Sequence, residues 1–136
     1  MVAAAADGLD GVEADDTEIQ KGGPTYTADT LAALAKRYPG AELVLLVGAD
    51  AAVRMDTWAR PEEVRRCATI VVMTRPGSDQ IRLPEGWQYQ VLEVPAYDIS
   101  STEVRRRVAA GEVISDLVPA GVASVIEEVG LYREVG

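Results

Sequence analysis

A chain of 136 residues, 48% of them hydrophobic, can build one domain with a buried core and is too short for two. Its formal net charge of −9 excludes the broad basic surface that nonspecific nucleic-acid or membrane binding needs, so an anionic substrate would require a local basic pocket. With no histidine, a Ser-His-Asp triad or a histidine zinc site is ruled out within the chain, and the single cysteine, Cys67, allows no intrachain disulfide, as expected in a reducing cytoplasm.

Residues 1–11 are helix-friendly until Gly8 and Gly11 break them, and they read as the tail of an element. Met1–Ala6 lacks the basic and long apolar regions of a signal peptide, and no apolar run approaches the roughly 20 residues of a membrane span. Residues 12–20, VEADDTEIQ, are expected to form a polar, edge-like strand. After the Gly22-Gly23-Pro24 turn, Thr27 or Asp29 can cap a helix running to about Tyr38, ended by Pro39-Gly40. The apolar run Glu42–Val47 predicts a strand buried on both faces of a parallel sheet. A helix over Pro61–Cys67 and a strand over Thr69–Thr74 follow, then a strand over Gln90–Val94. Helices are predicted over Thr102–Ala110 and Pro119–Val129, the second capped by Gly130. No repeat or linker interrupts this order, so residues 1–136 are expected to form a single domain. Strands alternating with helices predict an α/β fold, a parallel sheet flanked by helices.

In such sheets ligands bind outside the carboxyl ends of the strands. Gly48-Ala49-Asp50, Arg75-Pro76-Gly77 and Asp98-Ile99-Ser100-Ser101 all fall at such ends and are expected to converge on one rim. The last belongs to YDISSTEVRRR, Tyr97–Arg107. Either its hydroxyls simply cap a helix, with Ser100 and Glu103 as a capping box, or the helix start holds phosphate through Ser101, Thr102 and Arg105. Successive helical residues lie about 100° apart, so three arginines cannot share one target; Arg106 and Arg107 are expected to be solvated or paired with acids. Gly48 would let a ligand approach the backbone, and Asp50 could accept from ribose hydroxyls or cap a helix. Trp58 could stack on a heteroaromatic ring or serve as packing. Thr25, Tyr26 and Thr27 add hydroxyls to a turn. Arg75 is a basic group at a strand end, Cys67 is expected to pack, and Trp87 carries no functional signal.

In order, the segments GGPTYTADTL (Gly22–Leu31), ELVLLVGADAAVRMDTW (Glu42–Trp58), VVMTRPG (Val71–Gly77), DISSTEVRRRV (Asp98–Val108) and LVPAGVASVIEEVGLY (Leu117–Tyr132) resemble bacterial nicotinate-nucleotide adenylyltransferase. The resemblance implies a Rossmann-like fold and adenylyl transfer from ATP to nicotinate mononucleotide, with Mg2+, giving nicotinate adenine dinucleotide and pyrophosphate in NAD biosynthesis. It places Ser101, Thr102 and Arg105 on the ATP phosphates, with Arg105 as the catalytic group, and Gly48 and Asp50 against the nucleotide sugar and phosphate. Arg75 would lie at the adenosine side, Trp58 would stack on the nicotinate ring, and Thr25, Tyr26 and Thr27 would bind that end. The expected partners are thus these two nucleotides, with no nucleic acid and no membrane.

The resemblance also marks departures. The family's front half, with a GxFxPxHxGH-type loop, has no counterpart, and Met1 aligns inside a family helix. The fold expected is therefore an incomplete nucleotidyltransferase, the C-terminal part, with its first strands missing. The absent central strand would lie between residues 12–19 and 42–47, leaving Leu43–Val47 with an unpaired apolar edge through which copies could self-associate into a homo-oligomer. The alternative to an enzyme is an inactive nucleotide-binding remnant or interaction module.

Overall fold

A computed structural model of the chain describes residues 1–133. Along the chain lie α1 (Val2–Ala6), α2 (Thr17–Lys21), α3 (Thr27–Arg37), β1 (Val44–Gly48), α4 (Ala49–Ala52) and a 3-10 turn at Met55–Thr57. Then come α5 (Pro61–Cys67), β2 (Thr69–Thr74), β3 (Tyr89–Glu93), α6 (Ser101–Ala109) and α7 (Ala120–Val129). These elements form two compact units, one of residues Thr17–Ala96 and one of Met1–Asp16 with the chain from Tyr97 onward.

The Thr17–Ala96 unit is built on a three-stranded parallel sheet in the order β1-β2-β3. The register sets Leu45 beside Ile70 and Ile70 beside Tyr89, so the alternate residues Leu45, Val47, Ile70, Val72 and Tyr89 share one face. That face is covered: Ala28 and Leu31 of α3, Met55 and Val64 join Ile70 and Val72 in one core. α5 starts with Pro61, carries Glu62 and Glu63 in its first turn and Arg65 and Arg66 in its last, each sign at the favourable end of the helix dipole. Between β2 and β3 no helix forms; Ile81, Leu83 and Trp87 of that loop pack on the core instead. Trp87, silent in the sequence, is 7% exposed, donates its indole N–H to Asp56 at 2.6 Å and lies 4.6 Å beneath the Arg65 guanidinium. Cys67 packs against the same core, as expected.

Two expectations are corrected. Residues 12–20 do not form a strand; the segment ends in the helix α2. A strand needs a neighbouring strand to satisfy its backbone, whereas this exposed helical turn needs only its own few bonds and water, and Glu18 in the first turn and Lys21 in the last suit the dipole. Nor is β1 buried on both faces: Val44 is 50% and Leu46 56% exposed, because no described residue covers the second face of the sheet there. Among the described residues β1 pairs only with β2, so its outer edge is unpaired, in line with the expectation for Leu43–Val47.

In the other unit, Val104, Ile114, Val122 and Ile126 form a small core to which Ala4 and Ala5 of α1 add. α1 and α7 cross closely at Gly121, where a β-carbon would stand 3.2 Å from the Ala4 carbonyl oxygen. α7 ends as the sequence predicts, with Gly130 in the left-handed region at φ 70°. No helix among the described residues is long and apolar enough to cross a membrane.

Candidate functional site

The parallel register brings the carboxyl ends of the strands together, with Gly48 beside Met73 and Thr74 beside Glu93. On this rim Gly48 precedes α4, and a β-carbon there would meet nothing within 4 Å, so the strand exit faces open space. Asp50, in the first turn of α4, does not cap it with its side chain; it is exposed. Arg75 follows β2 directly and is also exposed. Among the described residues neither Asp50 nor Arg75 has a side-chain hydrogen bond or ion pair.

The Thr25–Thr27 turn leads into α3, whose N-cap is Tyr26, not Thr27 or Asp29, and no side chain caps it. The Asp29 carboxylate is engaged elsewhere: Oδ2 accepts from Lys21 Nζ, and Oδ1 accepts from Arg60 Nη2. These bonds, that from Lys21 first, hold the Asp29 pKa below its ordinary value, and the same carboxylate raises that of Arg60. Trp58 directly follows the 3-10 turn, its backbone N–H donating to the Met55 carbonyl at 3.1 Å and its side chain half-buried against the core. Tyr26 stays 46% exposed. The Asp29–Arg60 link therefore ties the hydroxyl-rich turn to the loop that carries Trp58.

In the unit containing α6, the Ser100 hydroxyl accepts from the Glu103 backbone N–H at 3.1 Å. Only this half of the capping box forms, because the Glu103 carboxylate turns to the arginines. Arg106 bonds Glu103 at 2.9 Å and Glu112 at 2.9 Å, while Arg107 bonds Glu103 at 3.0 Å and Asp116 at 2.9 Å. Hydrogen bonds from Arg106, then Arg107, pull the Glu103 pKa down to about 2, and the same bonds raise those of both arginines. Arg105 has no ion-pair or hydrogen-bond partner among the described residues. It lines a cavity of about 300 Å³ with Ser101, Ile99, Val104 and Tyr132. Thr102 is exposed on the same first turn. So the arginine run divides as the helical rotation requires, two residues neutralised by acids and one left beside a hydroxyl.

Sequence reasoning missed Tyr132 as a wall of this cavity and missed the Lys21–Asp29–Arg60 contacts. The only signal for the latter was Arg60 preceding Pro61, a position biased away from helix at a helix start. Among the described residues no three histidine, cysteine or acidic side chains gather to hold a cation.

The sequence matches the cytidylyltransferase-like family over residues 1–107. It is 46% identical over 122 residues to a protein of Corynebacterium kroppenstedtii named "Probable nicotinate-nucleotide adenylyltransferase", covering 88% of this chain and 58% of that one. A Gemmatimonas aurantiaca protein of the same name is 37% identical over 141 residues, covering 98% of this chain and 67% of that one. Among solved structures, a Plasmodium falciparum nicotinic acid mononucleotide adenylyltransferase complexed with NaAD superposes with a TM-score of 0.57 at 19% identity, covering 80% of this chain and 58% of that chain. At that identity the likeness speaks to the fold alone, which is Rossmann-like. The chain thus spans between about half and two-thirds of the length of the relatives it matches. It belongs to the nicotinate-nucleotide adenylyltransferase family of cytidylyltransferase-like proteins.

Proposed function

We propose that the chain carries the nucleotide-binding part of an enzyme that transfers the adenylyl group of ATP to nicotinate mononucleotide in cytoplasmic NAD biosynthesis. The observation that supports this most is Arg105, which has no acid partner among the described residues and lines a cavity with Ser101 at the start of α6, while Arg106 and Arg107 are neutralised. In this reading an oxygen of the mononucleotide phosphate attacks the α-phosphorus of ATP. A new P–O bond forms as the bond to pyrophosphate breaks, and no covalent enzyme intermediate is needed. Such chemistry depends on positioning and on neutralising phosphate charge. Arg105, the hydroxyls of Ser101 and Thr102 and the free N–H groups of the α6 N-terminus would take the ATP phosphates. Gly48 and Asp50 would meet the sugar, Arg75 the adenosine side, Trp58 the pyridine ring, and Thr25, Tyr26 and Thr27 the rest of that end. Magnesium, when bound with ATP, would supply further charge neutralisation on the phosphates. Copies of the chain would associate through the open edge of β1.

Calorimetric titration with ATP and with nicotinate mononucleotide, alongside a pyrophosphate-release assay, tests the reading. Losing one charge-assisted contact, Arg105→Ala should weaken ATP binding by roughly tenfold or more, while Arg106→Ala leaves it unchanged. Binding without pyrophosphate release would make the chain a binding module rather than an enzyme. Failure of the chain to bind ATP, or equal effects of the two substitutions, would overturn the assignment.

A further inference from the structure

Between the extended residue Trp58 and the helix start at Pro61 the chain reverses at Arg60, whose φ of 53° and ψ of 59° lie in the left-handed region. That conformation is strained for a residue with a β-carbon, and a following proline restricts the residue further. Among the described residues only Arg60 and Tyr132 show positive φ without being glycine. Such strain persists only where surrounding contacts hold it, and it concentrates at ligand sites.

At Arg60 the holding contact is visible. Its guanidinium donates to Asp29, whose other oxygen accepts from Lys21, and Glu63 lies 3.7 Å away. The Arg60 side chain is 46% exposed and that of Asp29 28%, so water screens the pair and its contribution to global stability is small. A weak contact on a strained backbone acts mainly on local geometry. Asp29 stands two residues beyond Thr27, and Arg60 two residues beyond Trp58. The pair therefore holds the left-handed turn at Arg60, two residues from the indole.

Resting on the assignment of Trp58 to the pyridine ring, we propose that Asp29 and Arg60 form a positioning clamp that holds Trp58 for nicotinate mononucleotide. The clamp acts on that substrate and not on ATP. Arg60→Ala and Arg60→Gly remove the same guanidinium, but only glycine adopts φ near 53° without strain, so the two variants separate the backbone role from the charge.

In the full chain, nicotinate mononucleotide affinity should fall by about tenfold in Asp29→Asn and in Arg60→Ala, with ATP affinity unchanged; Arg60→Gly should retain most of it. In the ligand-free chain, the Trp58 indole N–H resonance, assigned with Trp58→Phe, should stay sharp in wild type and Arg60→Gly and broaden or split in the other two. Equal behaviour of the alanine and glycine variants, or an unmoved indole resonance in Asp29→Asn, would overturn the clamp. If wild type bound no nicotinate mononucleotide, the ring assignment would fall, while the resonance would still decide whether the clamp orders Trp58.

Discussion

Two substitutions on opposite faces of one sheet measure how unequally those faces are covered. Ile70 is 1% exposed in the central strand, and Leu46 on β1 is 56% exposed. Each, changed to alanine, loses three carbons, worth about 2.4 kcal/mol if fully buried at roughly 0.8 kcal/mol per methylene. For Ile70 nearly all of that transfer free energy is lost, and the cavity left behind brings the cost to about 3–4 kcal/mol. Less than half of the Leu46 side chain is removed from water, so Leu46→Ala should cost about 1 kcal/mol. Urea titration followed by tryptophan fluorescence reads the difference, since Trp87 sits in the same core as Ile70. With an unchanged denaturant slope, the midpoint shift converts directly to stability. If Leu46→Ala costs as much as Ile70→Ala, the open face of β1 is covered in solution and the reading is wrong.

Asp56→Ala strips the 2.6 Å partner from the Trp87 indole and the 2.9 Å partner from Arg65. A part-buried donor left unsatisfied should cost about 1–3 kcal/mol and lower the melting temperature; an unchanged melt would refute the role of this contact. Glu103 gives a pH signature. Its folded pKa of about 2 lies below the ordinary 4.5, so the stabilisation is complete above about 4.5 and is lost as pH falls through 2. Carbon-detected NMR titration of the Glu103 carboxyl checks this, and a midpoint at the ordinary value would show that the pairs with Arg106 and Arg107 do not persist in solution.

How much of this was legible follows from the range of the interactions. α5 and β2 fall where the sequence places them, because Pro61 opens one and the run Thr69–Thr74 ends at Arg75-Pro76-Gly77. The family was legible from ordered blocks, and relatives of that family match most of the chain. An apolar run such as Glu42–Val47 announces burial but not whether a neighbour exists on each face, hence the error over Val44 and Leu46. Helical rotation separated Arg105 from its neighbours, but the acids that neutralise those neighbours, Glu112 and Asp116, come from a loop whose return depends on the fold. Asp29 meets Arg60 across 31 positions, beyond any local pattern, so it read as a cap.

The two hydrophobic cores differ in depth. Met55, Val64, Ile70 and Val72 are at most 1% exposed, whereas Val104, Ile114 and Val122 each retain 9% and Ile126, the deepest of its core, 3%. The shallower one supports α6, so the segment proposed for the ATP phosphates should open more readily than the sheet. Occupancy by a nucleotide would close that part by mass action, drawing its rigidity from the ligand instead of from its own interior. Amide protons of α6 and α7 should then exchange with solvent sooner than those of β2, and slow when ATP is added.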